Sequence, residues 1–222
     1  RGAGGALVPI FRDGRFEYVP IPETTATRST VTYAALAGRH VSALAAVLPA
    51  RLAARKPHLD PDFAAAIYGD AALGKRRQLL RLSRGDLIVF YAGLAPSPPE
   101  DRPRLFAIGS LRVVRVHDLR GGALSRPDLM ARFGGTAHFL REPADRELAL
   151  VEGEGGPTAM FPRAIPLGDG QDKVLPDLAR MGYQGSLLRS VGHWIEGADR
   201  QAFFEAWLRT GPASLVDHAS RL

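Results

Sequence analysis

The sequence feature that most constrains the fold is a pair of strand-like segments in the middle of the chain. The first, Leu87 to Ala92, is a continuous apolar run that is flanked by Gly85 and Gly93. Uninterrupted apolar runs of this length are typical of buried strands. Leu105 to His117 predicts a second, longer strand, which we expect to bend or bulge at Gly109. The stretch between them is rich in proline and charge, which indicates a loop.

Helical patterns lie on both sides of these two strands. The alanine- and leucine-rich segment Tyr33 to Ala54 has the composition of a helix that is interrupted at Pro49. Asp70 is expected to cap a short basic helix, Pro176 to begin another, and Asp199 to cap the last one. Because helices and strands are mixed without regular alternation, the sequence predicts an α+β fold rather than a doubly wound sheet.

The expected architecture is a mixed, curved sheet or a partly closed barrel with helices packed around it. We expect one domain over residues 1–222, with a core at about 83–170 and a C-terminal helical segment at about 172–222. The interior should include side chains from both strands and from the last helix: Leu87, Val89, Ile108, Val113, Phe203 and Trp207.

Composition limits the classes of function. The chain has no cysteine, which excludes disulfides, cysteine-ligated zinc and a thiol nucleophile. Its net charge of +6 favours partners that carry phosphates, such as nucleic acid. Compositional bias explains the same surplus equally well, because nearly all the basic residues are arginines among many alanines and glycines. No apolar stretch approaches the roughly 20 residues of a membrane span, so no membrane partner and a cytoplasmic location are expected.

One candidate site combines a histidine with three carboxylates: His58, Asp60, Asp62 and Asp70. An imidazole and carboxylates are suited to general acid–base catalysis or to a divalent metal that activates water. The same residues also fit a turn around Pro61 and a helix cap. Both interpretations stay open, because the sequence contains no established metal-ligand or phosphate-loop motif. The sequence therefore assigns no metal site and requires no cofactor.

A second candidate site is aromatic and basic. Unpaired bases are held by stacking on aromatic rings and by hydrogen bonds to their edges, and phosphates are held by cations. The residues assigned to nucleic-acid binding are Tyr68, Lys75, Arg76, Tyr91, His138, His193 and Trp194. Tyr183 belongs to the same scattered aromatic set. One concave region is predicted to contain Tyr68, Asp70, Tyr91 and Trp194, with Lys75 or Arg76 at its edge. Core or surface packing is the alternative role for each residue.

Two family resemblances rest on longer phrases. The glycine–aspartate turn and strand from Gly85 to Tyr91, followed by the strand with Ala107-Ile108-Gly109, resembles PUA-like barrels, a superfamily that includes the pseudouridine-synthase-associated, ASCH, YTH and EVE domains. This resemblance implies that the core at about 83–170 is PUA-like. A second set resembles the third numbered type of the nucleotide-modification-associated domain family of bacterial and phage proteins. Its phrases are Phe16–Glu23, His58–Phe63, Tyr68–Asp70, Gly85–Leu94 and Ala164–Leu167.

The second resemblance covers roughly Pro9 to Trp194 and implies a role in base modification, in phage and defence contexts. It marks Asp60, Asp62, Tyr68, Asp70, Lys75, Asp86 and Tyr91. We therefore expect a nucleic-acid-associated module that recognises a base or nucleotide, modified or not, in DNA or RNA. The alternative is a metal-dependent nuclease or a hydrolase or transferase that modifies nucleotides with the His58, Asp60, Asp62 and Asp70 cluster. A protein-interaction role is the third possibility.

Overall fold

The computed structural model describes residues 8–96, 104–121, 125–154, 159–168, 174–183 and 192–210. Within these ranges the fold is mixed α+β, as predicted, with eight strands in two sheets and four α-helices. The strands are β1 (Val8–Ile10), β2 (Ile21–Pro22), β3 (Pro57–His58), β4 (Ile67–Asp70), β5 (Leu87–Pro96), β6 (Arg104–Arg120), β7 (Glu147–Glu154) and β8 (Met160–Pro166). The helices are α1 (Leu73–Leu79), α2 (Pro127–Phe133), α3 (Pro176–Arg180) and α4 (Ala198–Thr210).

The six-stranded sheet is built around β6, the longest strand. Its order is β1-β5-β6-β7-β4, and β8 also pairs with β6. Strand β1 is parallel to β5, and all other pairs in this sheet are antiparallel. Strands β2 and β3 form a separate antiparallel pair. The described strands form an open sheet, so the mixed sheet is confirmed, whereas the PUA-like barrel expected at 83–170 is not.

The predicted irregularity of β6 lies at Gly109. Phe90 of β5 pairs with Gly109, but Tyr91 pairs with Ala107, so Ile108 is the extra residue of a bulge. A side chain at position 109 would clash, because a Cβ there would lie 2.6 Å from the carbonyl oxygen of Ala159. Glycine therefore permits the close approach of the neighbouring chain at this bend.

Helices cover both faces of β7, whose residues Leu148 to Val151 form a continuous apolar run. Leu148 and Leu150 pack in a cluster with Phe133 of α2. Ala149 and Val151, which point to the opposite face, pack with Leu79 of α1. A strand that is buried on both faces needs apolar side chains at consecutive positions, which explains the run.

Half of the expected interior is fully buried: Ile108, Val113 and Trp207. Leu87 and Val89 are only partly buried, because they line an open cavity. Phe203 was predicted to be buried but is 41% exposed, and its ring lies under the guanidinium of Arg180. Helix α4 contributes Trp207 to the core, so Phe203 falls outside the buried stripe.

The long helix expected over residues 33–54 does not form. This segment instead contains three short 3₁₀ turns, Tyr33–Ala35, Leu44–Val47 and Ala50–Leu52. The carboxylate of Glu17 accepts hydrogen bonds from the backbone N–H groups of Arg39 and His40, at 2.6 and 2.5 Å. These tertiary contacts, together with Pro49, override the helical preference of the alanines.

The starts of the helices agree only partly with prediction. Pro176 begins α3 as expected. Asp70 does not cap α1, because its carboxylate accepts the N–H of Ala72, which is itself the residue before the helix. Asp199 lies inside the first turn of α4 rather than at its cap. None of the helices in the described ranges has the length and apolarity needed to cross a membrane.

Candidate functional site

A cavity of about 650 Å³ lies between α1, β5, α4 and the segment before α4. This volume is in the range of small-molecule and cofactor sites. Aromatic rings form much of its wall: Tyr68, Phe90, Tyr91, Tyr183, His193, Trp194 and Phe204. They come from segments that are far apart in sequence, so the fold itself brings them together.

Two ring contacts organise the wall. The guanidinium carbon of Arg81 lies 4.4 Å from the centroid of the Trp194 ring, a cation–π geometry. Arg81 is also 3.6 Å from the carboxylate of Glu196. The rings of Tyr183 and His193 are 4.3 Å apart and tilted by 38°. The cavity therefore presents flat surfaces that suit a planar aromatic ligand.

Two polar atoms on this wall lack a protein partner. The hydroxyl of Tyr183 and Nε2 of His193 are buried and make no hydrogen bond within the described part of the chain. Burial raises the pKa of Tyr183 to about 12 and lowers the pKa of His193. Both side chains are therefore neutral near pH 7 and available to hydrogen-bond a neutral ligand.

The charged residues described around the cavity do not form a positive surface for a phosphate backbone. Its cations are Lys75 and Arg81, and its carboxylates are Asp86, Glu196 and Glu205. Because the carboxylates outnumber the cations, the described part of the lining lacks the positive surplus that binding along a nucleic-acid backbone requires. The chemistry of the lining suits a heterocycle better than a polyanion.

The structure brings five of the seven proposed nucleic-acid-binding residues to this cavity: Tyr68, Lys75, Tyr91, His193 and Trp194. Asp70 does not line it, but its carboxylate lies 3.4 Å from Nζ of Lys75 at the edge. Arg76 points elsewhere, since it is buried and forms ion pairs with Asp118 and Glu147. His138 is also absent from the wall.

A second cavity, of about 500 Å³, lies between β6 and α2. Arg126 on its wall is paired with Asp128 at 2.6 Å, and Arg132 is paired with Glu152. Because carboxylates of the protein already pair with Arg126 and Arg132, we assign no ligand to this cavity.

His138 belongs to a buried cluster with two of the predicted catalytic candidates, His58 and Asp60. The two imidazole rings are 4.9 Å apart and nearly perpendicular. One ligand atom from each of the three residues lies within 4.8 Å of the others. Asp62 and Asp70 are not part of this group. Asp62 accepts the N–H of Ala65 in a turn. The alternative of an enzyme that uses His58, Asp60, Asp62 and Asp70 stays a prediction.

Carboxylates hold both histidines of this cluster. Nδ1 of His58 donates to Glu23 at 2.7 Å, and Nδ1 of His138 donates to Asp145 at 2.8 Å. Arg141 binds both carboxylates. Although burial opposes the shift, the hydrogen bond from Arg141 lowers the pKa of Glu23 to about 2.

The two histidines have opposite pKa shifts. Burial and the nearby His138 lower the pKa of His58. Burial also acts to lower the pKa of His138, but Asp145 and Asp60 outweigh it and raise the pKa to about 9. Sequence reasoning missed Glu23, Arg141 and Asp145, because no local spacing connects them to His58.

The chain matches the model of a known family. Residues 1–201 match the family model described as nucleotide modification associated domain 3. No curated protein and no solved structure matches the chain. The family match covers most of the sequence and supports a context of nucleotide modification in nucleic acid. The chain therefore belongs to the nucleotide modification associated domain 3 family.

Proposed function

We propose that the protein binds a single nucleobase in the 650 Å³ cavity, as a free nucleotide or as an unpaired base of a nucleic acid. The observation that carries this proposal is the combination of aromatic faces with two buried, unpartnered polar atoms on one wall. Stacking holds a base by its face, and hydrogen bonds to its edge select it. Membership of a nucleotide-modification family supports the choice of ligand class.

The arrangement of the wall indicates how a base would sit. The Arg81–Trp194 pair offers a stacking platform, since guanidinium planes and indoles both stack on bases. The hydroxyl of Tyr183 and Nε2 of His193 would meet the edge of the base. A cavity of this size accommodates a nucleotide but no duplex, so a base in duplex DNA must first be extruded.

The charge balance limits the contribution of phosphates. Among the described residues, Lys75 and Arg81 are the only cations at the cavity. For a single strand, each phosphate contact contributes about −0.7 to the slope of log affinity against log salt. We therefore expect Lys75 and Arg81 together to contribute a slope of about −1.4, which is shallow for a nucleic-acid-binding protein.

A single-tryptophan variant tests this proposal directly. The chain has two tryptophans, and Trp207→Phe leaves Trp194 as the only indole emitter. We expect titration with nucleotides or short single strands to quench Trp194, because a stacked base contacts its ring. In the wild-type background, Trp194→Ala should weaken binding, measured by calorimetry, by about 10-fold or more.

The matched control is Phe203→Ala. Phe203 is an exposed aromatic residue of α4 that does not line the cavity, so its removal should leave affinity unchanged. The proposal is wrong if none of the four bases, as nucleotide or oligonucleotide, quenches Trp194. It is also wrong if Trp194→Ala binds as tightly as the wild type.

A further inference from the structure

The buried cluster of His58, Asp60 and His138 has no part in the base cavity, and its chemistry points to a different ligand. We propose that these three side chains bind one divalent first-row transition-metal ion, such as Zn²⁺, Fe²⁺ or Co²⁺. Two imidazoles and a carboxylate are a donor set that suits these ions. The proposal is independent of base binding.

The donor atoms are already close to a coordination geometry. They lie within 4.8 Å of one another, and ligands bound at about 2.1 Å to one ion are separated by roughly 3–3.5 Å. Small side-chain movements therefore suffice to close the site. Asp60 keeps one oxygen free, since Oδ1 accepts the N–H of Gly69 at 2.9 Å and Oδ2 faces His138.

The hydrogen bonds of the histidines leave the nitrogens that a metal needs. Because Nδ1 of His58 and of His138 each donates to a carboxylate, Nε2 is the nitrogen left for a ligand. Metal-binding histidines are commonly oriented in this way by carboxylates behind them. The surroundings of the cluster thus resemble the outer shell of a metal site.

His138 also has a polar atom that the protein does not satisfy. Its Nε2 is buried and has no hydrogen-bond partner among the described residues. Oδ2 of Asp60 is 3.7 Å away, which is too long for a hydrogen bond. Buried polar atoms without a partner are uncommon and destabilising, so a ligand at this position accounts for the arrangement.

The charge of the cluster favours a divalent cation. Three carboxylates, from Glu23, Asp60 and Asp145, face a single arginine, Arg141. With both imidazoles neutral, as metal ligation requires, the group carries two negative charges. A divalent ion neutralises them. The competing occupant is a proton on His138 between Asp60 and Asp145, which needs no metal.

Metal titration of the full chain separates these two explanations. After removal of metals with a chelator, and with folding checked by circular dichroism, the protein is titrated with Co²⁺ and with Zn²⁺. We expect one ion per chain, with visible Co²⁺ absorption typical of nitrogen and oxygen ligands. Asp60→Asn and His138→Gln should each lower the affinity at least 100-fold. Asp145→Asn, which changes only an outer partner, should lower it about 10- to 100-fold.

His117→Gln is the matched control, because His117 also donates to a carboxylate, that of Glu152, but lies outside the cluster. It should bind metal as the wild type does. If His138→Gln does not fold, Asp60→Asn carries the test, since asparagine can still accept the N–H of Gly69. The proposal is overturned if the folded, chelated wild type binds no ion, or if Asp60→Asn binds it equally well.

Discussion

At Gly69, strand β4 passes so close to His138 that there is no room for a methyl group. A Cβ on Gly69 would lie 2.9 Å from Cδ2 of His138 and 3.2 Å from Cδ1 of Leu148. The next residue back, Tyr68, lines the base cavity from the opposite face of the strand. Because Gly69 has no side chain, the imidazole of His138 has the space that it occupies.

We expect Gly69→Ala to destabilise the protein by about 1–3 kcal/mol, because either His138 or Leu148 must move. Urea denaturation followed by circular dichroism measures this change. The control is Gly74→Ala in α1, where a Cβ meets nothing within 4 Å. There alanine should stabilise the helix by up to about 1 kcal/mol. A Gly69→Ala protein as stable as the wild type would contradict the packing described here.

At the level of elements, α1 presents neighbouring cations to different environments. Lys75 is 43% exposed at the cavity edge and is ion-paired with Asp70. The side chain of Arg76 is only 5% exposed, and its carboxylate partners Asp118 and Glu147 are much more accessible. Lys75 therefore lies at the cavity, whereas Arg76 attaches the helix to the sheet.

This difference predicts separable effects of two substitutions. Arg76→Met should destabilise the protein by about 1–2 kcal/mol, because packing and ion pairs are lost. The loss is no larger because the carboxylates of Asp118 and Glu147 can rehydrate. Arg76→Met should leave nucleotide affinity unchanged. Lys75→Met should change stability by less than about 0.5 kcal/mol, since exposed pairs contribute little. Thermal unfolding and calorimetric titration distinguish the two, and reduced nucleotide affinity in Arg76→Met would contradict the assignment.

Elements could be predicted from the sequence where local residues, rather than contacts with distant segments, determine the structure. Strands β5 and β6 were predicted because their apolar runs and glycines fix a buried strand and its bend. The segment 33–54 was mispredicted, because the carboxylate of Glu17 competes for its backbone. Of the cluster of His58, Asp60 and His138, the sequence brought only His58 and Asp60 together, since His138 comes from a distant loop. Helix α1 was expected, but the sequence did not predict that Arg76 is its buried cation.

Across the whole molecule, all five tyrosines have raised pKa values, with burial as the largest cause: Tyr18, Tyr33, Tyr68, Tyr91 and Tyr183. For Tyr33 and Tyr183 the pKa is raised to about 12. A pKa that is higher in the folded than in the unfolded chain means that the unfolded chain loses its proton first. The stability that the folded chain gains from keeping these tyrosines protonated is therefore complete below about pH 10 and is lost as pH rises toward 12.

We expect the protein to show almost no tyrosinate absorbance until it unfolds in alkali. Ultraviolet absorbance and circular dichroism, recorded on the same pH titration, should change together above pH 10. Tyr33→Phe should make the loss of stability with pH less steep, because one group with a raised pKa is removed. Tyrosines that ionise near pH 10 in a protein with unchanged circular dichroism would contradict this expectation.

The N-terminal third of the chain completes its core only with strands that are made much later. Phe16 and Tyr33 share one core cluster with Leu94 and Ile108, and β1 pairs with the end of β5. Translation delivers the chain from its N-terminus, so these early residues leave the ribosome before the surface that buries them exists. Phe16 and Tyr33 can therefore reach their native contacts only after β5 and β6 have been synthesised.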